Sequence, residues 1–288
     1  MKTGVLFPTS EIGTDSVAVR DYAQAAEALG YDHMLFFEHV IGANAESPLG
    51  RDKPWSHTTM YHEPFTLFGY LAAATTSIEL ATCIMVLPLR ETALVAKQAA
   101  AVDVLSGGRL RLGVGVGLNK TEYEAMGKGL GDRGARIEEQ IELLRLLWTN
   151  ELVTFEGRWH RVTDAGINPL PVQRPIPIWI GGSADRVVRR IGRLADGWML
   201  PGSIRQPDEA ARAIIARMHD HAREAGRDPA KIGLQRVISG AGPDEWASGV
   251  RAWRELGVTH FAVSVDGPAS PDAHIEKLRL FREVADAV

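Results

Sequence analysis

The feature that most constrains this chain is a rhythm. Apolar runs of strand length alternate with segments of helical period eight times along 288 residues. The pairs are TGVLFP with DSVAVRDYAQAAEALG, HMLFFEHV with PFTLFGYLAAATTS, IELATCIMVLPL with ETALVAKQAAAVDVLSGG, and RLRLGVGV with DRGARIEEQIELLRLLWTN. Then come IPIWIGG with ADRVVRRIGRLA, DGWML with PDEAARAIIARMHDHAREAG, KIGLQRVIS with PDEWASGVRAWRELG, and THFAVSV with SPDAHIEKLRLFREVADAV. Strands separated by crossover helices must run parallel, joined by right-handed connections. Eight units in this length predict an α/β fold of the (β/α)8 TIM-barrel kind, a single domain over residues 1–288. A doubly wound sheet is the competing arrangement. One stretch breaks the rhythm: residues 151–175, with FEGRWHRV at their centre, read as an insertion.

Within the first helix Val17, Tyr22, Ala25 and Leu29 recur at helical spacing, with Asp15 placed to cap the start and Gly30 the end. In the fourth helix Ile137, Ile141, Leu144 and Trp148 share one face. Composition narrows the functional classes. The formal net charge is −4, which gives no electrostatic case for nucleic acid or an anionic membrane as partner. A single cysteine, Cys83, excludes an internal disulfide framework. No run approaches about 20 uninterrupted apolar residues, so no membrane span is expected. The start of the chain does not read as a signal peptide, and the expected setting is cytoplasmic.

In a parallel barrel, chemistry gathers where the strands end. That filter selects four places. Glu38 and His39 close the second strand, a carboxylate and an imidazole suited to proton transfer. The long polar stretch 42–63 follows, carrying Trp55, His57 and Tyr61, and reads as a lid over a flat organic ligand. Its His62 and Glu63 lack a second cluster at ligand spacing, so no metal site is expected.

Gly113, Gly115 and Gly117 end the fourth strand. Their spacing is Gly-x-Gly-x-Gly, and LNKTEYEAMG does not open a long apolar helix at once. A dinucleotide fingerprint needs Gly-x-Gly-x-x-Gly leading directly into a helix, so that reading fails. The glycines are expected instead to clear room for a ligand in the barrel mouth. Finally, Gly181, Gly182 and Ser183 precede the helix ADRVVRRIGRLA. Backbone N–H groups, a hydroxyl and the positive helix end make an anion site there; a plain helix cap by Ser183 or Asp185 is the bland reading.

With these pieces placed, the chain resembles the bacterial-luciferase-like family of flavin and deazaflavin oxidoreductases, most of all its shorter branch that uses coenzyme F420. The resemblance is carried by IELATCIMVLPLRETALVAKQAAAVDVLSGGRLRLGVGVGLNKTEYEAMG, by RIEEQIELLRLLWTNELVTFEGRWHRV and by PVQRPIPIWIGGSADRVVRRIGRLADGWML. It implies that the family's Asp-His pair falls on Glu38 and His39, with His39 handling the proton beside the cofactor ring and Glu38 orienting it. It implies a non-prolyl cis peptide at Cys83–Ile84 backing that ring. It implies that Gly117, Leu118 and Asn119 line the cofactor, and that Gly181 and Gly182, with Ser183, hold its phosphate.

The sugar-phosphate dehydrogenases of this superfamily keep a catalytic acid near the positions of Leu118 and Asn119. Neither residue is acidic here, so that substrate does not carry over. The resemblance therefore implies hydride transfer between F420 and a small organic substrate. It leaves open an FMN-dependent monooxygenase fed by a partner flavin reductase, and a catalytically silent flavin-binding barrel. By analogy with the family, a homodimer is expected.

Overall fold

The computed structural model describes residues 1–48, 51, 55–240, 242–264 and 270–287. Its elements follow the alternation. They are β1 (Lys2–Leu6), α1 (Ser16–Ala28), β2 (His33–Phe36), α2 (Pro64–Ala74), β3 (Glu79–Thr82), β4 (Met85–Val86), α3 (Thr92–Ser106), β5 (Leu110–Gly115), α4 (Lys120–Ala125) and α5 (Arg133–Thr149). The second half holds β6 (Val153–Glu156), β7 (Arg161–Ala165), β8 (Ile178–Gly181), α6 (Asp185–Leu194), β9 (Gly197–Met199), α7 (Glu209–Glu224), β10 (Gly233–Ile238), α8 (Pro243–Glu255), β11 (His260–Val263) and α9 (Pro271–Asp286).

Parallel pairing runs β1–β2–β3–β5–β8–β9–β10–β11 and returns from β11 to β1. Eight strands close on themselves, and the helices pack around them. The fold is the (β/α)8 barrel, not the doubly wound sheet. Closure leaves no strand edge exposed in the barrel. The 151–175 insertion forms an antiparallel hairpin, β6–β7, outside the barrel. It is pinned to α5 by Glu139, whose carboxylate accepts the N–H groups of Arg158, Trp159 and His160. No helix among the described residues is long and apolar enough to cross a membrane.

The expected helix faces are met unequally. Ile137, Ile141, Leu144 and Trp148 are all buried on α5, and the Trp148 indole donates to the Ala96 carbonyl. In α1 the stripe is shifted: Val19, Tyr22, Ala23 and Ala26 are buried, whereas Val17 is exposed. Spacing alone fits several rotations of an alanine-rich helix, and the barrel wall selects one. Asp15 does cap α1, accepting the Val17 N–H at 2.9 Å.

The sequence IELATCIMVLPL divides into two strands, β3 and β4, at a cis Cys83–Ile84 bond. The glycines of β5 answer that irregularity. A Cβ on Gly113 would lie 1.9 Å from the Thr82 carbonyl oxygen and 2.6 Å from the Met199 sulfur. On Gly115 it would lie 2.7 Å from Ile84, and on Gly117 2.7 Å from Val86. Among these glycines, Gly115 and Gly117 line the cavity at the barrel mouth and Gly113 does not. All three clear room for the bent third strand.

Candidate active site

Two connected chambers open at the C-terminal ends of the strands. The larger, about 910 Å³, is lined by Cys83, Ile84, Gly115, Gly117, Leu118, Gly181, Gly182 and Ser183, with Arg133, Arg186 and Arg236 around it. The smaller, about 440 Å³, holds His39, Trp55, Tyr61, Asn119 and Glu122. Phe37, Cys83, Ile84, Gly117 and Leu118 belong to both walls. The cis Cys83–Ile84 step is therefore the divider. Ile84 is seated between Gly115 and Gly181, where any Cβ would press on it at 2.7 and 3.0 Å. The Cys83 thiol is pushed up to about 11 by burial, so it stays protonated near neutral pH and is a wall residue, not a nucleophile.

The floor of the small chamber is His39. Its ring stacks on Trp55 at 4.6 Å and meets Tyr61 edge-on at 4.9 Å. Its Nδ1 faces Oε1 of Glu122 at 3.2 Å, and the same oxygen accepts the Val40 N–H at 2.8 Å. Glu122 sits in α4 and is 2% exposed. The helix is six residues long and starts from Asn119, whose side chain accepts the Thr121 N–H. Asn119 thus lines the small chamber and caps α4; it does not line the large one.

Glu38 is not the acid that meets His39. Its carboxylate accepts the Val86 N–H at 3.1 Å and pairs with Arg90 at 2.7 Å. Burial pushes its carboxyl above the ordinary range, outweighing the Arg90 guanidinium. Arg90 also reaches Glu63 at 2.9 Å, and Glu63 caps α2 through the Thr66 N–H. Glu38 and Arg90 therefore tie β2, β4 and the end of the 42–63 loop together. This corrects the expectation that Glu38 orients His39: on an extended chain, adjacent side chains point to opposite sides.

The loop is pinched at its base. A Cβ on Gly42 would lie 2.2 Å from the Ser56 backbone, and the His57 N–H donates to the Ala43 carbonyl. Trp55 and Tyr61 reach the small chamber. His57 is exposed, accepts the Ala45 N–H through Nδ1, and lines a separate recess with His39, Trp55 and Tyr61. Residues 49, 50 and 52–54 of the loop lie outside the described residues.

The large chamber ends at α6. The residue before this helix is Ala184, with no side-chain cap, so neither Ser183 nor Asp185 plays that part. Unsatisfied N–H groups at a helix start, with the positive helix end, attract an anion. Gly182 has φ +123°, a conformation for glycine alone. Its carbonyl is held by the Trp198 indole at 2.9 Å. Ser183 Oγ lies 3.2 Å from Ser203 Oγ. The chamber fits a phosphate-bearing tricyclic cofactor on these grounds: an uncapped helix end at one side, a flat apolar step at the other, and arginines along the rim.

The chain matches, over residues 1–267, the family described as luciferase-like monooxygenase. It belongs to that family. An uncharacterized protein of Mycobacterium tuberculosis is 36% identical over 96% of this chain and 97% of its own length. An F420-dependent glucose-6-phosphate dehydrogenase of Nakamurella multipartita is 31% identical over 72% of this chain, which spans 58% of that enzyme. Among solved structures, monooxygenase RslO1 from Streptomyces bottropensis superposes with a TM-score of 0.83 at 21% identity, over 100% of this chain and 99% of that one. The resemblance read from the motifs is thereby established at the level of family and fold, and with it an oxidoreductase.

Proposed function

We propose that this luciferase-like protein transfers a hydride between coenzyme F420 and a small organic substrate. The observation that carries the reading is the two-chambered mouth. One chamber ends in an anion grip, the other in a histidine, and they share the Cys83–Ile84 wall. F420 would lie in the large chamber, its phosphate at the start of α6 and its ring against the shared wall. The bound cofactor supplies the hydride chemistry. The F420-dependent relative supports this choice of cofactor.

The chain's own residues do the rest. Gly181, Gly182 and Ser183 present N–H groups and a hydroxyl to the anion. Arg133, Arg186 and Arg236 make the surroundings positive. Trp55 and Tyr61 cover the small chamber and exclude water. His39 gives or takes the proton that accompanies the hydride, at the nitrogen facing the chamber. The lining there is mostly apolar, which suits a small organic substrate.

FMN monooxygenase chemistry is the second reading, favoured by one feature: the start of α6 would hold an FMN phosphate equally well. Titration with F420 and with FMN separates the two. Micromolar or tighter F420 binding and weak FMN binding are expected. Tight FMN binding without F420 binding, together with oxygen uptake by the reduced FMN complex, would overturn the proposal.

A further inference from the structure

We infer that Glu122 is the positioning residue for His39, fixing which of its nitrogens carries the proton. The inference rests on the reading of His39 as the proton-handling group, but the decisive geometry belongs to the protein alone. Oε1 of Glu122 accepts the Val40 N–H at 2.8 Å. A backbone N–H can only donate, so this oxygen is an acceptor. Nδ1 of His39 lies 3.2 Å from the same oxygen and is therefore the protonated nitrogen of the neutral ring. The lone pair is left on Nε2. Nε2 has no protein partner among the described residues, and the ring borders the small chamber. Nε2 is thus set to accept a proton from a hydroxyl there.

The imidazolium that results is held by the same contacts. The Glu122 carboxylate faces that charge at 3.2 Å. The Trp55 face stacked at 4.6 Å adds an attraction for a cation. Other ionisable groups around His39 are accounted for. Tyr61 meets the ring edge-on, and its hydroxyl is pushed up by burial. Glu38, next in sequence, is engaged by Arg90, which also holds Glu63. His57 is exposed in a recess it shares with His39, and its Nδ1 is taken by the Ala45 N–H. Glu122 is the acid in contact with the ring, and it arrives from a short helix three residues past the capping Asn119. It supplies the carboxylate that Leu118 and Asn119 lack.

The test is nitrogen-resolved NMR of His39 in the cofactor-free protein, so its outcome is independent of which cofactor binds. In the wild type the neutral ring should be protonated at Nδ1. Glu122→Ala should release that preference, with the proton shared between Nδ1 and Nε2. Glu122→Asp should keep part of the Nδ1 preference, and Glu38→Gln should leave it nearly unchanged. In turnover with F420, Glu122→Ala should lower kcat at least about tenfold while cofactor affinity holds. Protonation at Nε2 in the wild type would overturn the inference, and that result needs no variant to fold. So would an Nδ1 preference that responds to Glu38→Gln as much as to Glu122→Ala. Loss of F420 turnover in the wild type with the NMR results intact would overturn the functional reading and leave the Glu122 assignment standing.

Discussion

Two histidines stand at the two ends of one strand. His33 opens β2 at the floor of the barrel, and His39 follows its end at the mouth. His33 is 1% exposed. Burial, with the Arg111 guanidinium and His260 nearby, holds its pKa well below the usual histidine range. Around it the floor is filled. Arg111 pairs with Glu79 at 2.6 Å, reaches Gln235 at 3.3 Å and lies 4.3 Å over the Trp179 ring. His260 packs edge-on against Trp179 and is lowered to about 3, again mainly by burial. At the mouth His39 has a carboxylate, an aromatic face and an open chamber. One imidazole is surrounded by cation and protein, the other by anion and space. Burial first, and the neighbouring guanidinium second, keep the floor imidazole neutral.

The contrast makes its largest prediction in activity. His39→Ala should lower kcat with F420 about 100-fold or more while F420 binding is retained. His33→Gln should leave kcat within a few-fold and show its cost in thermal stability. Steady-state kinetics and cofactor titration on both variants check this. Equal losses of turnover would abolish the distinction between floor and mouth.

Between the two ends lies the bent third strand, and its demand on β5 is sterically sharp. Gly113→Ala should destabilise the fold by about 3 kcal/mol or prevent folding, since overpacking against a backbone carbonyl cannot be relieved by a rotamer change. Gly131→Ala, where a Cβ meets nothing within 4 Å, is the control. Denaturant midpoints of the two variants measure the difference.

The floor histidines also predict an acid limb. Both are held neutral in the folded state, whereas the unfolded chain protonates them near pH 6.5. Below that value the unfolded state binds more protons, so stability falls as pH falls. For His260 the loss begins near pH 6.5 and continues toward about 3, at up to about 1.4 kcal/mol per pH unit. Chemical unfolding at pH 7 and pH 5 should show the loss, and His260→Gln should flatten it. An unchanged slope in that variant would remove His260 from the account.

How much of this was legible in the sequence follows from the range of each signal. The strand–helix alternation is local and repeated, so the barrel could be read from it. Asp15 before its helix, and glycines at a strand end before a helix, are short-range signals too. The motif resemblance located Cys83–Ile84, where the cis bond stands. What failed was spatial. Glu38 was paired with His39 because they are neighbours in sequence, though alternation along an extended chain already argued against it. Glu122 carries no local signal; only the meeting of α4 with the segment after β2 buries it. The packing around Gly113 is hidden too, because nothing local reveals that Thr82 and Met199 press on it.

The smallest effect divides the mouth itself. If the chambers share a wall but separate their tasks, a change at the anion grip should alter affinity and leave the proton step alone. Ser183 tests this because its hydroxyl adds one group to a site otherwise made of backbone. Removing it in Ser183→Ala also frees Ser203, its partner at 3.2 Å, to turn toward the anion. The net loss should therefore be at most that of one hydrogen bond, about 1 kcal/mol or roughly a fivefold rise in Kd for F420. With saturating cofactor, kcat should match the wild type. A variant that binds F420 normally but turns over slowly would mean that Ser183 acts on the reacting end, and the division of labour between grip and histidine would fail.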